Sequence, residues 1–429
     1  MEISQLNTIY LQNRSISTDT RNILPGSLFF ALKGDRFNGN EFALQALDKG
    51  AAAAIVDEDI NGGNARVIRV ENVLKTLQDL ARYHRQKTGI TILAITGSNG
   101  KTTTKELCNA VLSAKFRVFA TQGNLNNHIG VPLTLLSIPE NCELAIVEMG
   151  ANHPGEIRML SEIALPDYGL ITNIGKAHLE GFGGIEGVAK AKGELFDHLV
   201  AHGKTIFLNE GNSWLLRMAP STYPHLVRYN GKSSLRAQAF ECNPLLSLAV
   251  NDGNVSMNIK TNLAGSYNIE NVLAACCVGL HFGVPAEAVD HAIASWQPKN
   301  NRSQLIQTGR NSIFMDAYNA NPSSMAAAIG EFLRFEGNNK LLILGEMREV
   351  GASSSQEHEE ITEMIANKGV RNVICVGNAF EPYAQKAGFR FFTSVDELNE
   401  LMQKEPLTGY FIFVKGSRSN NLEKVVPFL

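Results

Sequence analysis

The chain has little of what marks several large functional classes. Six of its 429 residues are cysteine and no C-x-x-C pair occurs, so neither a disulfide framework nor a zinc site is expected. Lys and Arg number 39 against 42 Asp and Glu, a formal net charge of −3. That balance carries no basic signature, and no nucleic-acid partner is expected. No apolar run approaches the roughly 18 residues that a membrane span needs. The first ten residues, MEISQLNTIY, lack the basic head and apolar core of a signal peptide. A reducing, cytoplasmic setting is therefore expected. What remains, with 44% hydrophobic and 19% charged residues, is a soluble globular composition. The length exceeds one ordinary core and predicts roughly three domains.

One stretch carries most of the chemistry. Residues 97–106 read GSNGKTTTKE and follow the β-branched apolar run TILAIT at 91–96. After them, Leu107, Ala110, Val111 and Ala114 recur at helical spacing. The loop therefore joins a buried strand to a helix N-terminus, where backbone N–H groups and the helix dipole favour an anion. Gly97 and Gly100 allow a tight turn close to a phosphate, Lys101 has the reach for terminal phosphates, and the Thr102 hydroxyl suits Mg²⁺. A Walker A loop would place its first glycine at 95, where Ile95 stands; the pattern here is the shorter G-x-x-G-K-T. A plain glycine turn capped by Ser98 is the structural alternative, and the flanking strand and helix weigh against it.

Two more strand ends point the same way. The run 143–148 reads as a strand ending in Glu148, and a carboxylate at such an edge suits Mg²⁺. The run 170–174 reads as a strand leading to His178, which the parallel order brings to that edge; a purely structural histidine is the alternative. In the predicted helix 185–200, Ile185, Val188, Ala189, Leu195, Phe196 and Leu199 form an apolar stripe with Lys192 in its middle. Lys190 and Glu194 are expected on the opposite, solvated face. An amine in an apolar stripe is costly unless paired or modified; a lysine snorkelling from the helix edge is the alternative.

The short phosphate loop followed by KTTTKE resembles the ATP loop of the Mur ligases and of the related folylpolyglutamate synthetases. Within the Mur ligase family, GNLNNHIGVP at 123–132, EMGAN at 148–152, ITNIGKAH at 171–178 and above all DAYNANPSSM at 316–325 are similar to the branch that adds D-alanyl-D-alanine to UDP-N-acetylmuramoyl-tripeptide. The resemblance runs from about residue 17 to about residue 424.

It implies an α/β fold in three domains: a UDP-sugar-binding domain at 1–86, a central P-loop-type parallel-sheet ATPase domain at 87–297, and a Rossmann-like domain at 298–429 for the incoming dipeptide. It implies ATP on Gly97, Ser98, Asn99, Gly100, Lys101, Thr102 and Thr103, with Asn268 and Asn271 facing the adenine and Arg302 and Asp316 closing from the C-terminal side. For Asn268, helix capping is an equally good reading. Two Mg²⁺ ions are implied, one on Thr102 and Glu148, the other on His178 and on Lys192 after its carbamoylation by CO₂. Lys101, His178 and Lys192 are the implied catalytic residues. Substrate contacts are implied at Asp19, Arg21, Lys33, Asn126, Asn127, Asn319, Asn321, Lys415 and Arg418. A self-paired surface turn around 19–21 and a solvated charge pair at Lys415 and Arg418 are the structural alternatives. Asn38 and Asn40 depart from the family's Asp and His. The partners implied are small-molecule substrates, and a monomer is expected.

Two rival readings differ in prediction. A sister ligase adding a single diamino acid would carry D-N-P-R in its last domain, a string absent here. A nucleotide-switched binding protein would not need a carboxylate, a histidine and a stripe-buried lysine at one strand edge.

Overall fold

Short β-branched runs, buried on both faces, assemble into parallel sheets that helices cover. The computed structural model describes the whole chain except residues 61, 62, 300, 338 and 349. Near the N-terminus, strands at 16–17, 28–30, 53–56 and 67–69 pair in parallel, and a small antiparallel pair, Lys33–Gly34 with Phe37–Asn38, lies beside them. The helix Val73–Thr88 starts on Asn72, whose side chain accepts from the Lys75 N–H, and stops at left-handed Gly89. It buries Leu77, Leu80 and Ala81 and delivers the chain to the central sheet.

That sheet has six parallel strands in the order 226–229, 205–209, 168–171, 91–96, 144–148, 118–120. The strand Thr91–Thr96 lies between Leu144–Glu148 and Tyr168–Ile171. Ile95 registers with Glu148, and Thr96 with Ile171. The chain leaves in opposite directions on either side of that strand, so the carboxyl ends frame a crevice there. An antiparallel three-stranded sheet at 236–242, 245–251 and 256–264 follows. It shares one apolar core with the helices Lys101–Ser113 and Ile269–His281, through Leu107, Val111, Leu248, Ile259, Val272 and Cys276.

The C-terminal sheet orders its strands 304–307, 312–316, 411–415, 340–345, 373–376, 390–392. Only the first is antiparallel to its neighbour. The Rossmann-like expectation holds for the parallel part. The edge strands Gln304–Gln307 and Arg390–Phe392 are too short and too exposed to announce themselves in sequence. No described helix is long and apolar enough to cross a membrane.

The helix Ile185–Ala201 corrects one expectation. Its apolar stripe is buried from Val188 to Leu199, with Ile185 half-buried at the helix start; Lys192 is only 1% exposed, and Lys190 faces outward. Glu194, expected on the solvated face, is buried. Its carboxylate accepts the N–H groups of Gly155 at 2.8 Å and Arg158 at 2.9 Å, capping the helix Glu156–Ala164 from outside. Those N–H groups lack partners within their own helix, and the positive end of the helix dipole favours the anion. The partner is supplied by tertiary packing, which helical periodicity does not report.

Candidate active site

The crevice is a cavity of about 1070 Å³ lined by both the central and the C-terminal units. On the central side it receives the phosphate loop. Gly97 takes φ +139° and Gly100 φ +78°. A Cβ at Gly97 would fall 2.0 Å from the Thr172 Oγ1, and one at Gly100 would fall 2.4 Å from the Asn271 Oδ1. Both glycines are therefore required by close approach as well as by φ. The loop is held from behind: the N–H of Ser98 donates to the Asn173 carbonyl at 2.9 Å and that of Asn99 to the Asn173 side chain at 3.0 Å. The Thr172 hydroxyl donates to the Asn99 carbonyl at 2.6 Å. Lys101 folds its ammonium over the carbonyls of Gly97 at 2.7 Å and Ser98 at 3.2 Å. Thr102 and Thr103 line the cavity.

Glu148, at the adjacent strand end, is 2% exposed. Its Oε1 accepts from the Asn126 amide at 2.8 Å, while Oε2 is buried with no hydrogen-bond partner among the described residues. A buried carboxylate oxygen without a donor fits a cation, so the observed side chains suit Mg²⁺ held by Glu148 with the Thr102 hydroxyl. No group of three His, Cys, Asp or Glu side chains that could hold a metal ion converges among the described residues. His178 lines the cavity from a left-handed position, φ +52°, at the start of the short helix Leu179–Phe182. Lys192 lies one layer deeper. Its Nζ donates to the carbonyl of Ala151, a cavity-lining residue, at 3.1 Å and stands 5.2 Å from the centre of the Phe182 ring. Burial, and secondarily the charge of Lys101, push this amine well below the ordinary lysine range.

Asn268 and Asn271 are both buried at the cavity wall. Asn268 makes no side-chain cap to the helix that follows it. Instead it donates to the Ala264 carbonyl at 2.9 Å and accepts from the Asn271 amide at 2.9 Å, which removes the capping alternative. Across the cavity, the Arg302 guanidinium stacks 3.7 Å from the centre of the Tyr318 ring. Asp316 accepts the Ser303 N–H at 3.2 Å and pairs with Lys415. Lys415 is 2% exposed, so its solvated-charge reading fails. Arg418 does stand exposed, paired with Glu423 at 2.6 Å. Asn319 and Asn321 line the C-terminal wall, and the Asn321 amide donates to the Asn99 side chain at 2.7 Å, joining that wall to the phosphate loop. Asn127 lines the central wall while its side chain accepts the N–H groups of Ile129 and Gly130, so it also shapes its own turn.

Three expected substrate residues lie elsewhere. Asp19 and Arg21 form a two-residue ion pair at 2.6 Å, as the self-paired alternative has it, and hydrogen bonding from Arg21 holds the Asp19 carboxyl down to about 2. Lys33 bridges Asp57 at 2.8 Å and Glu58 at 2.9 Å. Asn38 and Asn40 complete that network: Asn38 donates to Glu58, and Asn40 donates to Asp57 at 2.9 Å. Sequence reasoning missed Tyr318, although it lies inside the quoted 316–325 run. It also gave no role to Lys176 and Ser323, which lie inside the quoted 171–178 and 316–325 runs, or to Glu357, which lies outside every quoted run.

Fold and site together define a phosphate-loop α/β enzyme class, in which a nucleotide cradle on one unit faces a carboxylate-and-lysine wall on another. The Mur ligase family profiles match along the chain: the catalytic domain at 13–85, the middle domain at 95–279 and the glutamate ligase domain at 301–418. The chain belongs to the Mur ligase family. It is 35% identical to the UDP-N-acetylmuramoyl-tripeptide--D-alanyl-D-alanine ligase of Bacillus subtilis (strain 168), over 96% of this chain and 92% of that one. It superposes on MurF from Acinetobacter baumannii with a TM-score of 0.87 at 30% identity, covering 96% of this chain and 92% of that chain. For a MurF ligase from Thermotoga maritima in complex with ADP the TM-score is 0.84 at 26% identity, with 97% of each chain covered.

Proposed function

We infer that this chain is an ATP-dependent amide ligase of the MurF type, joining D-alanyl-D-alanine to UDP-N-acetylmuramoyl-tripeptide in peptidoglycan precursor synthesis. The observation that carries the reading is the meeting of Lys101, Glu148 and the Asp316–Lys415 pair at one cavity, in a chain similar over nearly its full length to ligases of that name. The terminal carboxylate of the tripeptide attacks the γ-phosphorus of ATP, forming an acyl phosphate and releasing ADP. The dipeptide amine then attacks the acyl carbon, and the tetrahedral intermediate expels phosphate as the amine loses its proton. Carboxylate and triphosphate repel each other, so the site must be cationic. Lys101 leaves the loop carbonyls it now contacts to neutralise the phosphates, while the loop N–H groups orient them. Mg²⁺, when bound by Glu148 and Thr102, supplies further positive charge at the phosphoryl oxygens.

His178 and Lys192 are assigned to a second ion on this reading. The amine of Lys192 is nearly water-free and biased to its neutral, nucleophilic form. Attack of that nitrogen on CO₂ forms one N–C bond and releases one proton, leaving an anionic carbamate in place of a cation. Two details complete the proposal. The units 1–86, 87–297 and 298–429 are assigned to the UDP sugar, to ATP and to the dipeptide, with Asp19, Arg21 and Lys33 as UDP contacts, Asn126 and Asn127 beside the tripeptide, and Asn319, Asn321, Lys415 and Arg418 toward the incoming dipeptide. A cytoplasmic location suits the six cysteines, all unpaired.

Phosphate release, measured with UDP-N-acetylmuramoyl-tripeptide and either D-alanyl-D-alanine or single amino acids, tests the assignment. Turnover with the dipeptide is expected; turnover with diaminopimelate or glutamate on a shorter UDP-peptide, and none with the dipeptide, overturns it.

A further inference from the structure

One residue of the central unit is gripped by two separate helices of the C-terminal unit. Lys176 lies between the strand Tyr168–Ile171 and His178. Its backbone N–H donates to the Ser323 Oγ at 2.9 Å, in the first turn of the helix Pro322–Arg334. Its ammonium donates to Glu357 Oε1 at 2.8 Å, in the first turn of the helix Ser354–Asn367, and stands 3.9 Å from Glu360. The Glu357 carboxylate is 7% exposed, whereas the lysine is 45% exposed. The same loop is tied to the phosphate loop, since the Gly175 N–H donates to the Ser98 Oγ at 3.0 Å and that hydroxyl donates to the Gly175 carbonyl at 3.2 Å. Just beyond His178, Gly351 of the C-terminal unit presses so close to Glu180 that a Cβ there would come within 2.8 Å of it.

We propose that Lys176 and Glu357 are positioning residues, a latch that holds the C-terminal unit against the phosphate loop and thereby governs how readily the incoming acceptor is captured. Neither side chain lines the reaction cavity, so the pair acts through geometry and not by touching substrate. The backbone bond to Ser323 locates one helix, and the ion pair locates a second. Two such points define an orientation, which a single hinge contact does not. A buried carboxylate left without its lysine loses the closed arrangement's main compensation for dehydration. An enzyme closed for a smaller fraction of the time binds its last substrate with an affinity reduced by that fraction, while saturation with substrate restores closure. This inference rests on the ligase reading for its kinetic arm only.

The test compares wild type with Glu357→Gln, Lys176→Met and the charge-exchanged pair Lys176→Glu with Glu357→Lys, all as full chains. In Glu357→Gln the apparent KM for D-alanyl-D-alanine is expected to rise about tenfold with kcat within about twofold of wild type. The radius of gyration from small-angle scattering should increase without ligands and return to the wild-type value with saturating Mg²⁺ and a non-hydrolysable ATP analogue. The exchanged pair should recover most of the KM. Should Glu357→Gln fold poorly, Lys176→Met, altered from the exposed side, carries the same expectation. Unchanged KM and unchanged radius, or a fall in kcat alone, or an exchanged pair no better than either single variant, would overturn the latch. Wild-type enzyme that ignores the dipeptide would instead sink the ligase reading, and the scattering comparison would still judge the latch.

Discussion

Asn126 donates its side-chain amide to one oxygen of Glu148 at 2.8 Å, and the other oxygen is buried without a donor among the described residues. The carboxylate is thus aimed by one neighbour, and its second oxygen keeps its lone pairs for a cation. Asn126 also packs under Gly150, where a Cβ would approach its amide to 3.0 Å. On the proposed function this pair defines the metal-binding edge of the site.

Glu148→Gln keeps the shape and removes the charge. Turnover should fall by about 10²–10³-fold, and the Mg²⁺ concentration for half-maximal rate should rise. Asn126→Ala should raise that concentration with a smaller loss, because it releases the carboxylate without neutralising it. Near-normal Mg²⁺ titrations in both variants would place the ion elsewhere.

Lys101→Ala removes the cation nearest the phosphate loop glycines. Its turnover should drop by roughly 10³-fold or more, with a melting temperature close to wild type, since Lys101 is half-buried and donates to carbonyls of its own loop. Activity within tenfold of wild type, by steady-state ADP formation, would contradict the phosphate-loop assignment.

Lys192 and Lys190 form an internal control two residues apart on one helix. Lys192→Ala should be nearly inactive with its fold retained, and a small carboxylate such as acetate should restore part of the rate. Lys190→Ala, on the exposed face, should change stability by no more than about 0.5 kcal/mol and leave the rate alone. Rescue by an amine, or equal damage at both lysines, would rule out a carbamate at Lys192.

Glu194→Ala should cost about 1–3 kcal/mol in chemical denaturation, because it strips two N–H groups of the helix Glu156–Ala164 of their acceptor. Glu194→Gln, which keeps an acceptor but loses the charge at the dipole, should cost less. A loss below about 0.5 kcal/mol for Glu194→Ala would show that solvent replaces the cap.

A pH dependence should arise on the same helix. Burial, then the charges of His202 and Arg82, lower His198 to about 4, against about 6.5 in an unfolded chain. The unfolded state binds the proton first, so the contribution of this histidine is complete above about pH 6.5 and is lost as pH falls toward 4. The loss is on the order of 2–3 kcal/mol. His198→Gln should flatten the stability curve across that window; a wild-type slope in the variant would assign the acid sensitivity to other groups.

By itself, the sequence determined the elements whose cause is local. The strand Thr91–Thr96, the glycines that let its loop turn, and the helix after them are set by β-branching, backbone freedom and side-chain spacing within some twenty residues. The apolar stripe around Lys192 was legible for the same reason, because helical periodicity places neighbours without reference to the rest of the fold. Glu148 and His178 were legible as strand-end residues, since parallel strands separated by helices must align their carboxyl ends. Only the tertiary structure decided which polar groups meet. Glu194 was expected in solvent and caps another helix; Lys415 was open between solvent and site and is buried on Asp316; Asn268 binds its neighbours and not its own helix end. Asn99 with Asn321, and Lys176 with Ser323 and Glu357, are more than a hundred residues apart. Such pairs form because a buried polar group must find whatever partner packing brings to it, and that choice is made by the assembled fold, not by spacing along the chain.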